Sequence, residues 1–205
     1  MAFSNLRALS FIGSADIVGS IITSVFWFFL ASQLPPDEYG EIHYFIAIAM
    51  VASAFVIIAP QSSMIVFSAK KLKLESTFYF ISLILTIIAS FVIMILFYKI
   101  DVVFLLFGYV LNTLAIGQLL GRKLFSSYSK YHLSQKILTA CLGLLFLQFY
   151  GSDGIILALS LSYVLFIIIV YKEIKNTKII LSSIKSHSKF IFNNYDLFHD
   201  IQSLS

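Results

Sequence analysis

Asp16 is an acid set into an apolar run, and no further charged residue follows it until Asp37. Two roles are open to a carboxylate there. It can serve as a proton or cation site, or as the partner of a cationic group, inside a membrane cavity. Alternatively it lies a turn or so below the interface, solvated or paired with Arg7. At about 100° per residue, Asp16, Gly19, Ser20, Thr23, Ser24, Trp27 and Ala31 share one helical stripe. Ile17, Ile21, Ile22, Phe28 and Phe29 fall mostly elsewhere. A small, polar stripe on a membrane helix faces other helices or a wet cavity. Asp16, Ser20, Thr23 and Ser24 are therefore candidate cavity-lining residues. Asn112 and Gln118 join them from a later segment, either as cavity groups or as interhelical hydrogen-bond partners. Trp27 and Tyr39 read as packing and interface anchors.

Other chemistry is sparse. His43, His132, His187 and His199 are scattered without ligand spacing, and Cys141 is the one cysteine, so neither a metal centre nor an internal disulfide is expected. No acid pair at helical spacing lies within a span, and no Ser-His-Asp arrangement, phosphate-binding loop or dinucleotide fingerprint occurs. The chain does not read as an enzyme, and no cofactor is expected.

The elements that must carry these residues are membrane helices. Hydrophobic residues make up 60% of the 205, charged ones 12%, and the mean hydropathy is +0.95. A soluble surface of that composition would aggregate, whereas lipid requires it. Uncharged runs of about 20 residues satisfy their backbone internally as helices rather than as a barrel. The predicted fold class is an all-α integral membrane protein, a bundle of six transmembrane helices over about 11–31, 42–58, 77–98, 102–121, 131–150 and 155–171. The nine residues Gln33 to Glu41 form the first turn, and Pro60 kinks or interrupts the second helix. Ser82, Thr86 and Ser90 make a small-residue packing face, and Gly117 with Gly121 a second. Lys136, inside the fifth span, is expected to carry its amine to the interface. Residues 185–205 read as a cytoplasmic or interfacial tail, or the start of a further span. Leu30-Ala31-Ser32 faintly resembles a signal-peptide cleavage site, but the long run and the spans beyond it favour an uncleaved first helix.

Charge supplies orientation. Thirteen of the fourteen lysines and arginines fall at the N-terminus, in alternate connections and in the tail, and only Lys99 falls in the other connections. Those other connections carry Asp37, Glu38, Glu41, Asp101 and Asp153. The positive-inside rule then puts both termini in the cytoplasm. The formal net charge of +4 is thus a topology signal and not a nucleic-acid footprint.

Two stretches resemble a known family. Leu34-Pro35-Pro36-Asp37-Glu38-Tyr39-Gly40 follows the striped first helix. Phe149-Tyr150-Gly151-Ser152-Asp153-Gly154-Ile155-Ile156, with Ala158 and Ser160, joins the fifth span to the sixth. In order and spacing they resemble the polysaccharide exporters and O-antigen flippases of the Wzx type, within the multidrug/oligosaccharidyl-lipid/polysaccharide exporter superfamily, over roughly Leu6 to Lys175. The resemblance implies a cell-membrane translocator of polyprenyl-phosphate-linked oligosaccharide, working by alternating access between two lobes. Six spans amount to one lobe. That implies a half-length or truncated form, with a second half-transporter or another copy of the chain as partner, or else a non-transporting subunit or remnant. A membrane-embedded lipid or glycan enzyme is the disfavoured alternative. The spans are expected to hold no cation for a substrate diphosphate, so the resemblance assigns no substrate residue.

Overall fold

The computed structural model describes residues 2–57, 61–69 and 75–176. The expectations at Pro60 and over 185–205 lie outside the described residues. Among those described, every regular element is helical: α1 (Ala2–Gln33), α2 (Pro36–Val56), α3 (Gln61–Ala69), α4 (Glu75–Phe97), α5 (Ile100–Gly121), α6 (Phe125–Tyr150), α7 (Asp153–Ser162), a 3-10 turn (Tyr163–Phe166) and α8 (Ile167–Asn176). Six stretches are long and apolar enough to cross a membrane, namely Ser10–Gln33, Pro36–Val56, Phe78–Phe97, Ile100–Gly121, Phe125–Tyr150 and Asp153–Lys172. The chain is an all-α, multi-pass membrane bundle.

The element bounds differ from the sequence reading in instructive ways. The first turn is not nine residues long, because Pro36 opens α2 directly. A proline at the first helical position has its φ already set and gives up only an N–H that would be unpaired. Asp37 and Glu38 then occupy the first turn, where carboxylates complement the helix dipole. The polar step after Pro60 is a separate short helix, α3. The fifth span begins six residues earlier than predicted, at Phe125 instead of near Tyr131. A 3-10 turn divides the sixth between α7 and α8.

Packing centres on α5, whose Val102, Leu105, Leu106, Val110, Leu114 and Ala115 have no exposed surface. Around it lie α2 and α3, α4, and α7 with the 3-10 turn. Close approaches set the helix directions. A Cβ on Gly121 would lie 2.4 Å from Ser68 Cβ and 2.6 Å from the Ile65 carbonyl, while Gly117 stands against Met64. The Gly117–Gly121 step therefore seats α3 parallel to α5. On α1, Gly19 stands beside His132 and Lys136, and further along Phe26 stands beside Gly143, so α1 and α6 also run parallel. Parallel first and fifth spans are what strict alternation across a membrane requires. Between α6 and α7 the chain turns at Gly151, whose φ of 64° and ψ of −151° suit glycine almost alone.

Lys99, between α4 and α5, joins the connections at one end of the bundle. Its amine lies 3.6 Å from Glu41 Oε1 and 3.7 Å from Asp153 Oδ1, and 5.1 Å from the centre of the Phe45 ring. The turns preceding the second, fourth and sixth spans thus meet at one end. Elsewhere Phe55, Phe91, Ile95 and Phe149 stand outward on the helices, as lipid-facing side chains must.

Candidate functional site

The first helical hairpin is splayed. α1 meets α2 sparsely, through Trp27 with Tyr39 and His43, and packs along α6 instead. Glycine makes that seam possible: a Cβ on Gly19 would lie 3.2 Å from Lys136 Cγ and 3.6 Å from His132 Nε2. The lysine stem therefore rests directly on the α1 backbone. Ser129 Oγ strengthens the seam by donating to the Phe11 carbonyl at 2.8 Å. Tyr128, His132 and Lys136 recur every fourth residue on α6, so all three project from one face toward α1.

A cavity of about 670 Å³ opens along this seam. From α1 it is lined by Asp16, Ser20, Thr23, Ser24, Trp27 and Phe28, from α6 by Tyr128, His132 and Lys136, and at one end by Tyr39 of α2. The Tyr128 hydroxyl donates to Asp16 Oδ1 at 2.7 Å. His132 Nε2 stands 3.7 Å from the same oxygen, and its ring stacks on Tyr128 with centroids 5.4 Å apart and planes at 10°. Thr23 returns its hydroxyl to the Gly19 carbonyl at 2.8 Å. The Asp16 side chain keeps 48% of its surface exposed, and Ser20 and Ser24 are exposed, so the cavity is open on one side.

The cavity has two chemically distinct ends. Asp16, Tyr128, His132 and Lys136 form an ionisable end up to about three turns of helix from Trp27. Trp27 and Tyr39, backed by His43, form an aromatic end. The ionisable end can hold an anionic group on Lys136 and His132 while Asp16 keeps its hydrogen bond to Tyr128. Such groups inside spans are expensive in lipid, which marks them as functional by default. Among the described residues, no three His, Cys, Asp or Glu side chains converge to hold a metal.

Of the six candidates read from the sequence, Asp16, Ser20, Thr23 and Ser24 share this wall, whereas Asn112 and Gln118 lie outside it. Gln118 is buried between α4 and α5, its Oε1 2.6 Å from the Tyr79 hydroxyl that donates to it, with the Leu114 carbonyl 3.0 Å from the same hydroxyl. Its role is interhelical hydrogen bonding and not cavity lining. Asn112 is half-buried on α5 and lines no part of the cavity.

One expectation is corrected by α6. A cation is not missing from the spans, because Lys136 lines the cavity, with His132 beside it. Lys136 extends its stem across Gly19. The missed signal was the Tyr128-His132-Lys136 repeat, whose first member fell before the predicted start of the span. Trp27 and Tyr39, read as anchors, also line the cavity wall. The side chain of Arg7, the other partner considered for Asp16, lies outside the described ones.

No family model, curated protein or solved structure matches this chain.

Proposed function

We propose that this chain is a cell-membrane translocator of lipid-linked oligosaccharide, acting as one lobe of an alternating-access transporter. The observation that carries the proposal is the cavity itself. An acid, a histidine and a lysine line a space of about 670 Å³ on segments apolar enough to cross a membrane. A bundle kept only for structure gains nothing from placing Asp16 and Lys136 there, since each is costly away from water. The mix of side chains suits a ligand with an anionic head and a hydroxyl-rich body. Lys136 offers a cationic donor to a phosphate and His132 an imidazole N–H, and Ser20 and Ser24 offer hydroxyls to a glycan. The lipid tail would stay in the bilayer beside the open side of the cavity. The sequence resemblance, in the turn after Gln33 and the turn after Phe149, favours the same substrate class.

Charge fixes the direction in this reading. The Lys99 end carries the acidic turns and faces outward, and the opposite end, rich in lysine and arginine, faces the cytoplasm. Asp16, about 9 Å inside the start of the span at Ser10, then lies toward the cytoplasmic end. A polar groove cannot face lipid for its whole length, so a second lobe closes it, either another half-transporter or another copy of this chain. The test is reconstitution into vesicles with a fluorescent polyprenyl diphosphate sugar in the inner leaflet. Transfer to the outer leaflet well above that in protein-free vesicles is the expected result, and equal rates would overturn the proposal.

A further inference from the structure

We infer that Trp27 and Tyr39 form a stacking platform for a pyranose ring, so that the glycan lies along α1 with its phosphate end at Lys136. This inference rests on the proposed function and goes beyond it by orienting the substrate and naming the residues that touch sugar.

Trp27 follows Asp16 by eleven residues, which returns it to nearly the same face of α1, and follows Gly19, where the Lys136 stem rests, by eight, about 12 Å along the axis. A ligand held at the ionisable end by its phosphate must reach the aromatic end with its other end, and an oligosaccharide has that length. Between the two ends the wall presents Ser20, Thr23 and Ser24, whose hydroxyls suit a glycan and not an acyl chain.

The rings themselves are arranged as a supported surface. His43 lies behind Trp27, with centroids 4.6 Å apart and planes tilted by 40°. Tyr39 meets Trp27 edge-on at 6.1 Å and 86°, and His43 again at 4.6 Å. Phe26 closes a further edge at 5.3 Å. Trp27 is thus braced on several sides while it still lines the cavity. The C–H face of a pyranose carries a partial positive charge and is apolar, so it stacks on the electron-rich face of an indole as other weakly polarised groups do. Aromatic anchors at a membrane interface need no such bracing and no cavity, which is the ground for preferring a ligand surface.

Trp27 is the single tryptophan of the chain, so its fluorescence reports on this site alone. The purified full chain in detergent is titrated with short-chain isoprenyl diphosphates carrying glucose, galactose or N-acetylglucosamine, and with the sugar-free isoprenyl diphosphate. The expected result is that a sugar-bearing probe alters the Trp27 emission and shields it from acrylamide, while the sugar-free probe binds without doing so. Trp27→Leu should weaken the sugar-bearing probe by about tenfold relative to the sugar-free one, and Trp27→Phe should restore most of the loss. Equal affinities for both kinds of probe with a silent Trp27 would overturn the platform and leave the proposed function standing. Binding of neither kind would overturn the proposed function and the platform with it. Because the emission is read on the unaltered chain, a variant that fails to fold does not remove the test.

Discussion

The Tyr128 hydroxyl donates to the Asp16 carboxylate at 2.7 Å, across 112 residues of sequence. This contact ties the first span to the fifth at the cytoplasmic end of the proposed pathway and converts a lone acid into part of a site. Its strength should be modest, since the acid is about half exposed. A double-mutant cycle of Asp16→Asn with Tyr128→Phe should return a coupling of about 1 kcal/mol in thermal unfolding of the detergent-solubilised chain. A coupling near zero would mean that the two side chains do not meet.

Glycine replacements should separate two kinds of seam. At Gly121 an added methyl meets Ser68 Cβ and the Ile65 carbonyl, a backbone atom that cannot yield without moving α3. At Gly19 it meets chiefly the flexible stem of Lys136. Gly121→Ala should therefore cost about 1–3 kcal/mol, seen as a clear fall in unfolding temperature, and Gly19→Ala much less. The reverse order would contradict the packing described.

The α4–α5 contact makes a third prediction. Tyr79→Phe removes the hydroxyl that donates to Gln118 Oε1 and with it a buried interhelical hydrogen bond, at a cost of about 1 kcal/mol. Ser82 on the same helix has a buried hydroxyl without a hydrogen-bond partner among the described residues, so Ser82→Ala should be neutral or slightly stabilising. Paired melting curves of the two variants provide the check.

Much of the fold was legible because apolar runs between charges are the physical requirement of a membrane helix. The site was only half legible. A helical wheel drawn on α1 can group Asp16 with Ser20, Thr23 and Ser24, but it cannot say which helix they face. The α6 half was hidden because Ser126, Ser129, Lys130, His132 and Lys136 look like a polar connection. In the fold, Ser129, His132 and Lys136 turn toward α1 and not toward lipid, so their polarity is no bar to a helix. Gln118 shows the converse: a polar residue in a span whose partner, Tyr79, is 39 residues away and cannot be read from local pattern. The Pro-Pro turn misled for a simpler reason. Proline ends helices, but at the first position it also begins them.

Topology offers a fourth prediction. Lys99 draws Glu41 and Asp153 to one end, which the charge distribution assigns to the outside. With Cys141 replaced by serine, a cysteine at Glu38 or Asp153 should react with an impermeant maleimide added to intact cells. A cysteine at Ser127 should react only after permeabilisation. Labelling of all three in intact cells would contradict the orientation.

The account stands or falls on whether the α1–α6 cavity moves substrate. The decisive measurement is the transfer rate of a fluorescent polyprenyl diphosphate sugar in vesicles holding the wild-type chain, set beside vesicles holding Lys136→Met at matched, folded protein levels. The account predicts transfer by the wild-type chain and a loss of tenfold or more in the variant, roughly the effect of removing one charge-assisted contact. Equal rates in both, or wild-type transfer no faster than in protein-free vesicles, would contradict it.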